Sequence, residues 1–392
     1  MNWWYHLKKC FSLYPGFLRP VSAPFLHDYY QARRRERSFA RAALDGVIFI
    51  LFQLWVPFRA RSVARRFGLG GEWAKNASGI GRRRFADPND IAVFSITADA
   101  DLDRYMRRFE YAEVSKRINP AGWRSDCALS DKARFAARCA QHGLPHPPLL
   151  ARKAPGGVEI SGLPDRSSLA VKPIDGQGGK GFEIVEFADW QGADEPRFRA
   201  FLARALGHRH DAWIVQPRVE GHPELRDITL NALSTARVTT MRNEVGDYEI
   251  VTSVLRFSSN RESLVDNLAS GGLLAPVDPE SGMIGAACYG RRVGDIAIHP
   301  ATGAAIAGRV IPQWAELRDL VERAHRHAFA EYVMIGWDVG LAEGGPVLIE
   351  GNAKPGLFAA QRGTREGIGA TRFGALIRHH LRVGPCGLAD RP

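Results

Sequence analysis

The sequence predicts an α+β protein, and three observations point there. After residue 150, short β-type runs separated by polar turns dominate: LAVKP, GFEIVEF, AWIVQPRV, ARVTTMR and YEIVTSVLRF. Helical spacing of apolar residues returns only near 313–331 and 371–382, so strands and helices do not alternate as strict βαβ units. A glycine-rich loop is followed by a strand rather than a helix, which no doubly wound nucleotide fold would do.

The 392 residues are 45% hydrophobic and 24% charged, which excludes disorder and collagen-like repeats. At roughly 150 residues per domain, two or three modules are expected. Five cysteines (Cys10, Cys127, Cys139, Cys288 and Cys386) are odd in number, widely spaced and without a CxxC. They predict neither a disulfide framework nor a zinc cluster, and a reducing cytoplasm as the compartment.

The net charge of +11 is unevenly placed. Residues 1–84 carry 16 Lys/Arg against 4 Asp/Glu, a net of +12, and the other 308 carry 37 against 38, a net of −1. The basic segment opens with Trp3, Trp4 and Tyr5 beside Lys8 and Lys9, then runs through Arg33–Arg37 to the uncharged stretch GVIFILFQLWVPF, 46–58. Thirteen uncharged residues fall short of the roughly 20 that cross a bilayer. The run also starts too late, and ends in too many arginines, for a signal peptide. A short apolar helix among aromatic and basic residues suits the surface of an anionic membrane; the alternative is a buried helix with a solvated basic face. No nucleic-acid-binding signature accompanies the charge.

Along the body, the Gly/Arg-rich stretch 68–84 reads as a linker and IAVFSIT (91–97) as a strand. SDKARFAARCAQHGLP reads as a helix capped by Ser130 and stopped by Gly143 and Pro145.

The loop VKPIDGQGGKGFEIV places Lys172 at a strand end before Gly176, Gly178, Gly179, Lys180 and Gly181. A Walker loop fails because Gly181 stands where Ser or Thr would meet magnesium. What remains is a strand–loop–strand flap whose amides can fold over phosphates, with Lys172 as their charge partner, or else simply a flexible turn. Protein kinases use a similar flap, but no HRD- or DFG-like element follows.

The run IGWDVGLAEGGPVLIEGN reads as a hairpin. If it is symmetric about Gly344, Asp338 faces Glu350, Asn352 shares their side, and Trp337, Val339, Leu341, Val347 and Ile349 occupy the packed side. Two carboxylates and an amide on one face suit Mg²⁺ bridging to phosphates; the alternative is a solvated acidic edge.

Taken in order, these segments resemble the ATP-grasp superfamily, and within it the sugar-transfer-associated, RimK-like (glutamate-ligase-related) proteins, over about residues 125–380. The resemblance implies two α+β lobes gripping ATP, with 1–84 as a basic, partly apolar helical extension and 85–150 as a lead-in. The lid lobe would be 151–225 and the catalytic lobe 226–384. SDKARF supplies a first phosphate-side lysine, Lys132, and VKPIDGQGGKG the second, Lys172. WIVQPRVEGHPEL supplies the hinge, with Gln216–Val219 at adenine and Glu224 at the ribose. TARVTT (Arg237), SVLRFSS (Arg256) and VDNLASGGLLAPVDPESG (Asp266, Asn267, Gly271, Gly272) follow the narrower group's spacing, and Asp338, Glu350 and Asn352 match the metal hairpin.

Two departures stand out. Gln216 replaces the Glu common at such hinges, so adenine would meet its amide or the main chain. Gly336 replaces an Arg common two residues before the metal Asp, so that charge role falls to Arg237 or Arg256. The resemblance implies a ligase that uses ATP and Mg²⁺ to join a carboxylate to an amine through an acyl phosphate, with Lys172, Arg237 and Arg256 acting on the transferred group. Polysaccharide or amino-acid–sugar conjugate synthesis on the cytoplasmic side of a membrane is the implied setting. A phosphotransferase acting on a hydroxyl and a membrane-apposed ATP-binding scaffold are the alternatives. The clusters His208–His210, His325–His327 and His379–His380 read as structural or solvated, and Lys354 as a lining residue of the acceptor pocket.

Overall fold

A computed structural model describes residues 23–384, apart from 155, 175–179, 264, 265, 267–270 and 291–293. Expectations resting on Trp3, Trp4, Tyr5, Lys8, Lys9, Gly176, Gly178, Gly179 and Asn267 lie outside the described residues.

Helix α1 (His27–Arg35) leads into α2 (Phe39–Phe67), which Ser38 caps by accepting the Arg41 N–H and Gly68 ends in a left-handed conformation. The thirteen-residue apolar stretch thus sits inside a helix of 29 residues, because alanines and arginines on both sides are strong helix formers. By length and composition alone this helix could cross a membrane, which corrects the expectation of a segment too short to do so. Helix α3 (Gly71–Arg84) replaces the expected linker. Its Ala74, Ala77, Ile80 and Gly81 recur at helical spacing and are buried, and a Cβ at Gly81 would stand 3.0 Å from Val56 Cγ1, so its glycine allows close packing on α2. Helix α4 (Pro88–Val93) replaces the expected strand: Asp87 accepts the Asn89 N–H and Pro88 opens the first turn, and this start signal outweighs a short apolar run.

Helices α5 (Arg108–Ile118) and α6 (Lys132–Gln141) follow. The cap of α6 is Asp131, not Ser130: the Asp131 carboxylate accepts the Ala133 and Arg134 N–H groups, while the Ser130 hydroxyl donates to Cys127 O.

Strands β1 (Ala151–Ala154), β2 (Gly157–Ile160), β3 (Ser168–Pro173) and β4 (Glu183–Glu186), then helix α7 (Glu195–Leu206) and strand β5 (Trp213–Pro217), build the first sheet. Its order is β2-β1-β5-β3-β4, antiparallel throughout. Phe198, Phe201, Leu202 and Leu206 of α7 cover one face against Leu169, Val171, Trp213 and Val215. On the other face Ala170, Lys172 and Ile184 line a cleft.

After the short helix α8 (Arg226–Thr229), strands β6 (Thr235–Arg242), β7 (Tyr248–Phe257), β8 (Leu273–Pro276) and β9 (Cys288–Tyr289) are followed by α9 (Trp314–Arg323), β10 (Met334–Ala342) and β11 (Gly345–Asn352). The second sheet runs β11-β10-β6-β7-β8-β9, again antiparallel. Trp314, Leu317, Leu320 and Val321 of α9 seal one face with Val238, Leu255, Trp337 and Val339. Helices α10 (Leu357–Thr364) and α11 (Arg372–Val383) pack on β7. The N-terminal helices join this body: Leu26, Phe52, Val56 and Val114 share a core with Met241, Met334, Phe373 and Leu376.

Candidate active site

The second sheet sends four charged side chains from four neighbouring strands to one face. Asp338 on β10 lies opposite Arg237 on β6 and Glu350 on β11, and Arg256 on β7 lies opposite Thr235 on β6. Lys172 at the end of β3 and Lys180 beyond the glycine loop line one cleft with them, as does Lys132 in the first turn of α6, whose Phe135 and Cys139 belong to the core of the second sheet. The lining is strongly polarised: Lys132, Lys172, Lys180, Arg218, Arg237 and Arg256 stand against Asp266, Asp338 and Glu350. Ala170, Phe182, Ile184, Leu233 and Ile349 add apolar surface to the same lining, as do Pro217 and Val219 where the chain leaves β5. A lining that combines charged groups with apolar side chains suits a nucleotide, whose phosphates and base need both.

Asp338 anchors the arginines. Its carboxylate accepts from Arg237 Nε and, at 2.7 Å, Arg237 Nη2, and from Arg256 Nη1 at 3.1 Å. Arg256 Nη2 also donates to Asp266 at 2.8 Å, and the Thr235 hydroxyl donates to the other Asp266 oxygen at 2.5 Å. Burial disfavours charge on Asp338, but the two guanidiniums outweigh it and hold the carboxyl well below the usual carboxylate range. Glu350 is pushed the other way by burial and by the Asp338 charge. Asn352 Nδ2 donates to Glu350 at 3.3 Å, so the metal-hairpin trio does converge.

The convergence has a different geometry from the one expected. Ala342 pairs with Gly345, so the turn is two residues, Glu343-Gly344, and this register alone would set Ile349 opposite Asp338. A bulge at Ile349 restores the pairing of Asp338 with Glu350. It also changes the face assignment: Leu348 is fully buried in the core with Val339, whereas Ile349 lines the cleft.

The donor set fits a hard cation: two carboxylates and an amide, with Glu350 carrying repulsion that a cation would relieve. Among the described residues no three His, Cys, Asp or Glu side chains cluster, so phosphate oxygens or water would complete any shell. Both arginines already occupy Asp338.

Half-buried Lys172 donates to Gln216 Oε1 at 3.1 Å, and Gln216 Nε2 donates to Pro147 O at 2.7 Å. The Gln216 side chain is buried and spent on these partners, so of the two expected routes to adenine, amide or main chain, the amide is taken and the main chain is left. A neutral amide at the hinge also leaves Lys172 short of anionic support. Burial, with a smaller push from Lys132, brings its pKa down to about 8 against the pull of Glu350. Lys132 Nζ reaches Ile174 O at 3.4 Å.

Three expected residues stand elsewhere. Glu224 is exposed in a turn outside the cleft lining, its N–H donating to His222 Nδ1 and its carbonyl accepting from Arg309. Gly181 is not in the lining; it turns the chain at φ 70°, its carbonyl held by Arg209 Nη1 at 2.8 Å, and a Cβ there would meet Pro173 Cγ at 2.9 Å. Lys354 lies with its ammonium 4.2 Å from the centre of the Trp123 ring rather than in the cleft.

Of the clustered histidines, His325 and His380 are buried and structural, whereas His208, His210 and His327 are exposed. His325 spans Thr240 and Tyr332 O and is pushed down to about 3 by burial, and His380 meets Arg242 O. Sequence reasoning missed Arg209, a buried hub binding Asp211, Glu183 and Gly181 O that fastens the foot of the glycine loop. A lone Arg between two histidines offers no periodic signal. It also assigned no role to Asp266, whose partners Thr235 and Arg256 stand on two neighbouring strands, β6 and β7.

No curated protein sequence matches the chain. Among solved structures it is similar to the D-cycloserine synthetase DcsG (17% identity, 64% of this chain and 70% of that one, TM-score 0.35). It is also similar to an L-amino acid ligase from Bacillus licheniformis (13%, 65% and 48%, 0.37) and a D-alanine–D-alanine ligase from Bacillus anthracis complexed with ATP (13%, 64% and 60%, 0.32). The chain therefore spans only about half to two thirds of the length of most of these. A far more specific match covers residues 112–372, from α5 through every strand of both sheets to the start of α11, and by it the chain belongs to the sugar-transfer associated ATP-grasp family.

Proposed function

We propose that this protein is an ATP-dependent ligase that joins a carboxylate to an amine through an acyl phosphate. The observation that carries the proposal is the cleft itself, where Lys172 of the first sheet, Lys180 of the loop after it and Lys132 of α6 share one lining with arginines and paired carboxylates of the second sheet, with cations in excess. That arrangement suits a triphosphate whose terminal group is transferred, a reaction that needs positioning and charge neutralisation more than a protein nucleophile.

The substrate carboxylate oxygen would bond to the γ-phosphorus as the bond to the β–γ bridging oxygen breaks, releasing ADP. An amine would then add to the acyl carbon, and phosphate would leave as the nitrogen gives up a proton. Lys172 would hold phosphate oxygens from the lid side, Lys132 would hold them from α6, and Arg237 and Arg256 would meet the transferred group from the second sheet. The backbone at Pro217–Val219 would border adenine. Asp338, Glu350 and Asn352 would hold Mg²⁺, which supplies charge neutralisation at phosphate oxygens when bound. The glycine loop would exclude the water that otherwise hydrolyses an acyl phosphate.

The family's association with sugar transfer supports a substrate from cell-surface polysaccharide or amino-acid–sugar conjugate synthesis. A cytoplasmic protein held at the membrane surface would meet such a substrate there. The test is ADP release by purified protein with Mg-ATP, hydroxylamine and pooled amino acids and sugar acids. ADP together with a hydroxamate is expected. A phosphate ester in place of a hydroxamate would mark a phosphotransferase, and ATP binding without ADP from any pool would mark a scaffold.

A further inference from the structure

Helix α2 is apolar on two faces, and only one of them is used. Ile48, Phe52 and Val56 are buried, the last two in the core shared with α11. The opposite side presents Val47, Ile50, Leu51, Leu54, Trp55 and Phe58 outward, with Phe58 70%, Leu54 64% and Ile50 60% exposed. Together with Phe39 and Leu44 they form a continuous stripe at helical spacing, about 29 Å long at 1.5 Å per residue. An exposed apolar stripe of this size marks a docking surface.

The ends of the stripe name the occupant. Arg35 precedes it and exposed Arg61 and Arg65 continue its outward side, within a segment of net +12 (16 Lys/Arg against 4 Asp/Glu in residues 1–84). A second copy docked here would set arginine against arginine, whether the helices paired parallel or antiparallel. An anionic lipid surface meets both the apolar stripe and its basic ends.

Crossing the bilayer is the other use of such a helix, and the packing opposes it. It would strip Phe52 and Val56 from the core and carry Asp45, fully buried and held by Arg37 Nε at 2.6 Å, into hydrocarbon.

We infer that α2 lies flat in the headgroup region of an anionic bilayer, its Val47–Phe58 stripe inserted and its other face retained in the protein core. This gives the membrane setting named above a defined surface, and it does not depend on ligase chemistry.

The test is co-sedimentation of the full-length protein with vesicles of phosphatidylcholine, alone or equimolar with phosphatidylglycerol. Wild type should pellet with the anionic vesicles and be released by alkaline carbonate. V47E/L54E, changed only on the outward side, should bind them at least about tenfold more weakly while keeping its thermal shift with Mg-ATP. R61E/R65E should lose the preference for anionic vesicles. Undiminished binding by V47E/L54E would overturn the inference, as would equal binding to neutral vesicles. Retention after carbonate would mean a spanning helix, and a dimer without lipid that V47E/L54E dissolves would mean a second copy; either overturns it.

Discussion

Asp338 and Glu350 face each other across β10 and β11 only because Ile349 is an extra residue in β11. The bulge turns Ile349 into the cleft and leaves Leu348 in the core. L348A should therefore cost about 2–5 kcal/mol of stability. I349A should cost less than about 1 kcal/mol and mainly raise the KM for ATP severalfold, by thinning an apolar wall. Denaturant unfolding and ATP kinetics on the two variants check this; strict alternation along β11 would exchange their effects.

The two carboxylates differ in what they hold. Buried Asp338 neutralises two half-buried guanidiniums, so D338N should cost about 3 kcal/mol as well as turnover, because breaking a buried pair strands its partners. E350Q removes a carboxyl that its neighbour already repels, so it should stay within about 1 kcal/mol of wild type while losing Mg-dependent turnover. Thermal unfolding beside magnesium titrations of ATPase activity checks the contrast.

Lys172 should make nucleotide binding sensitive to alkali. With its pKa lowered to about 8, it is charged below that pH, and affinity for ATP should fall as pH rises through it. Q216E, which sets a carboxylate beside the ammonium, should move that fall to higher pH. Q216L should weaken ATP binding roughly three- to tenfold, the worth of one hydrogen bond. The same shift works oppositely on stability: between about pH 8 and the ordinary lysine value of 10.5 the unfolded chain holds more protons, so stability should rise with pH across that window. Titrations of ATP binding and of unfolding against pH check both signs.

Much of the site could be read from the chain because its chemistry lies at strand positions set by local pattern. The run YEIVTSVLRF forms β7 from Tyr248 to Phe257, and Lys172 and Asp338 fall on the strands foreseen for them. What could not be read depends on neighbours distant in sequence. Gln216 takes its role from Pro147 and Lys172, and Asp266 is bound by Thr235 on β6. Glycine content misled twice: α3 uses Gly81 for close packing rather than for flexibility, and Gly181 shapes a turn rather than lining the cleft. The apolar run of α2 hid its length because arginines and alanines extend a helix beyond its hydrophobic centre.

The central claim is that a carboxylate is activated by phosphoryl transfer in the cleft between the two sheets. Its most direct test supplies pooled amino acids and sugar acids labelled with ¹⁸O in the carboxylate, together with Mg-ATP and amines, and weighs the phosphate released. One ¹⁸O in each phosphate is the expected result, because the acyl oxygen leaves with the phosphoryl group. Unlabelled phosphate formed in step with ADP would mean that water or a hydroxyl, not a carboxylate, receives the phosphoryl group, and would contradict the account.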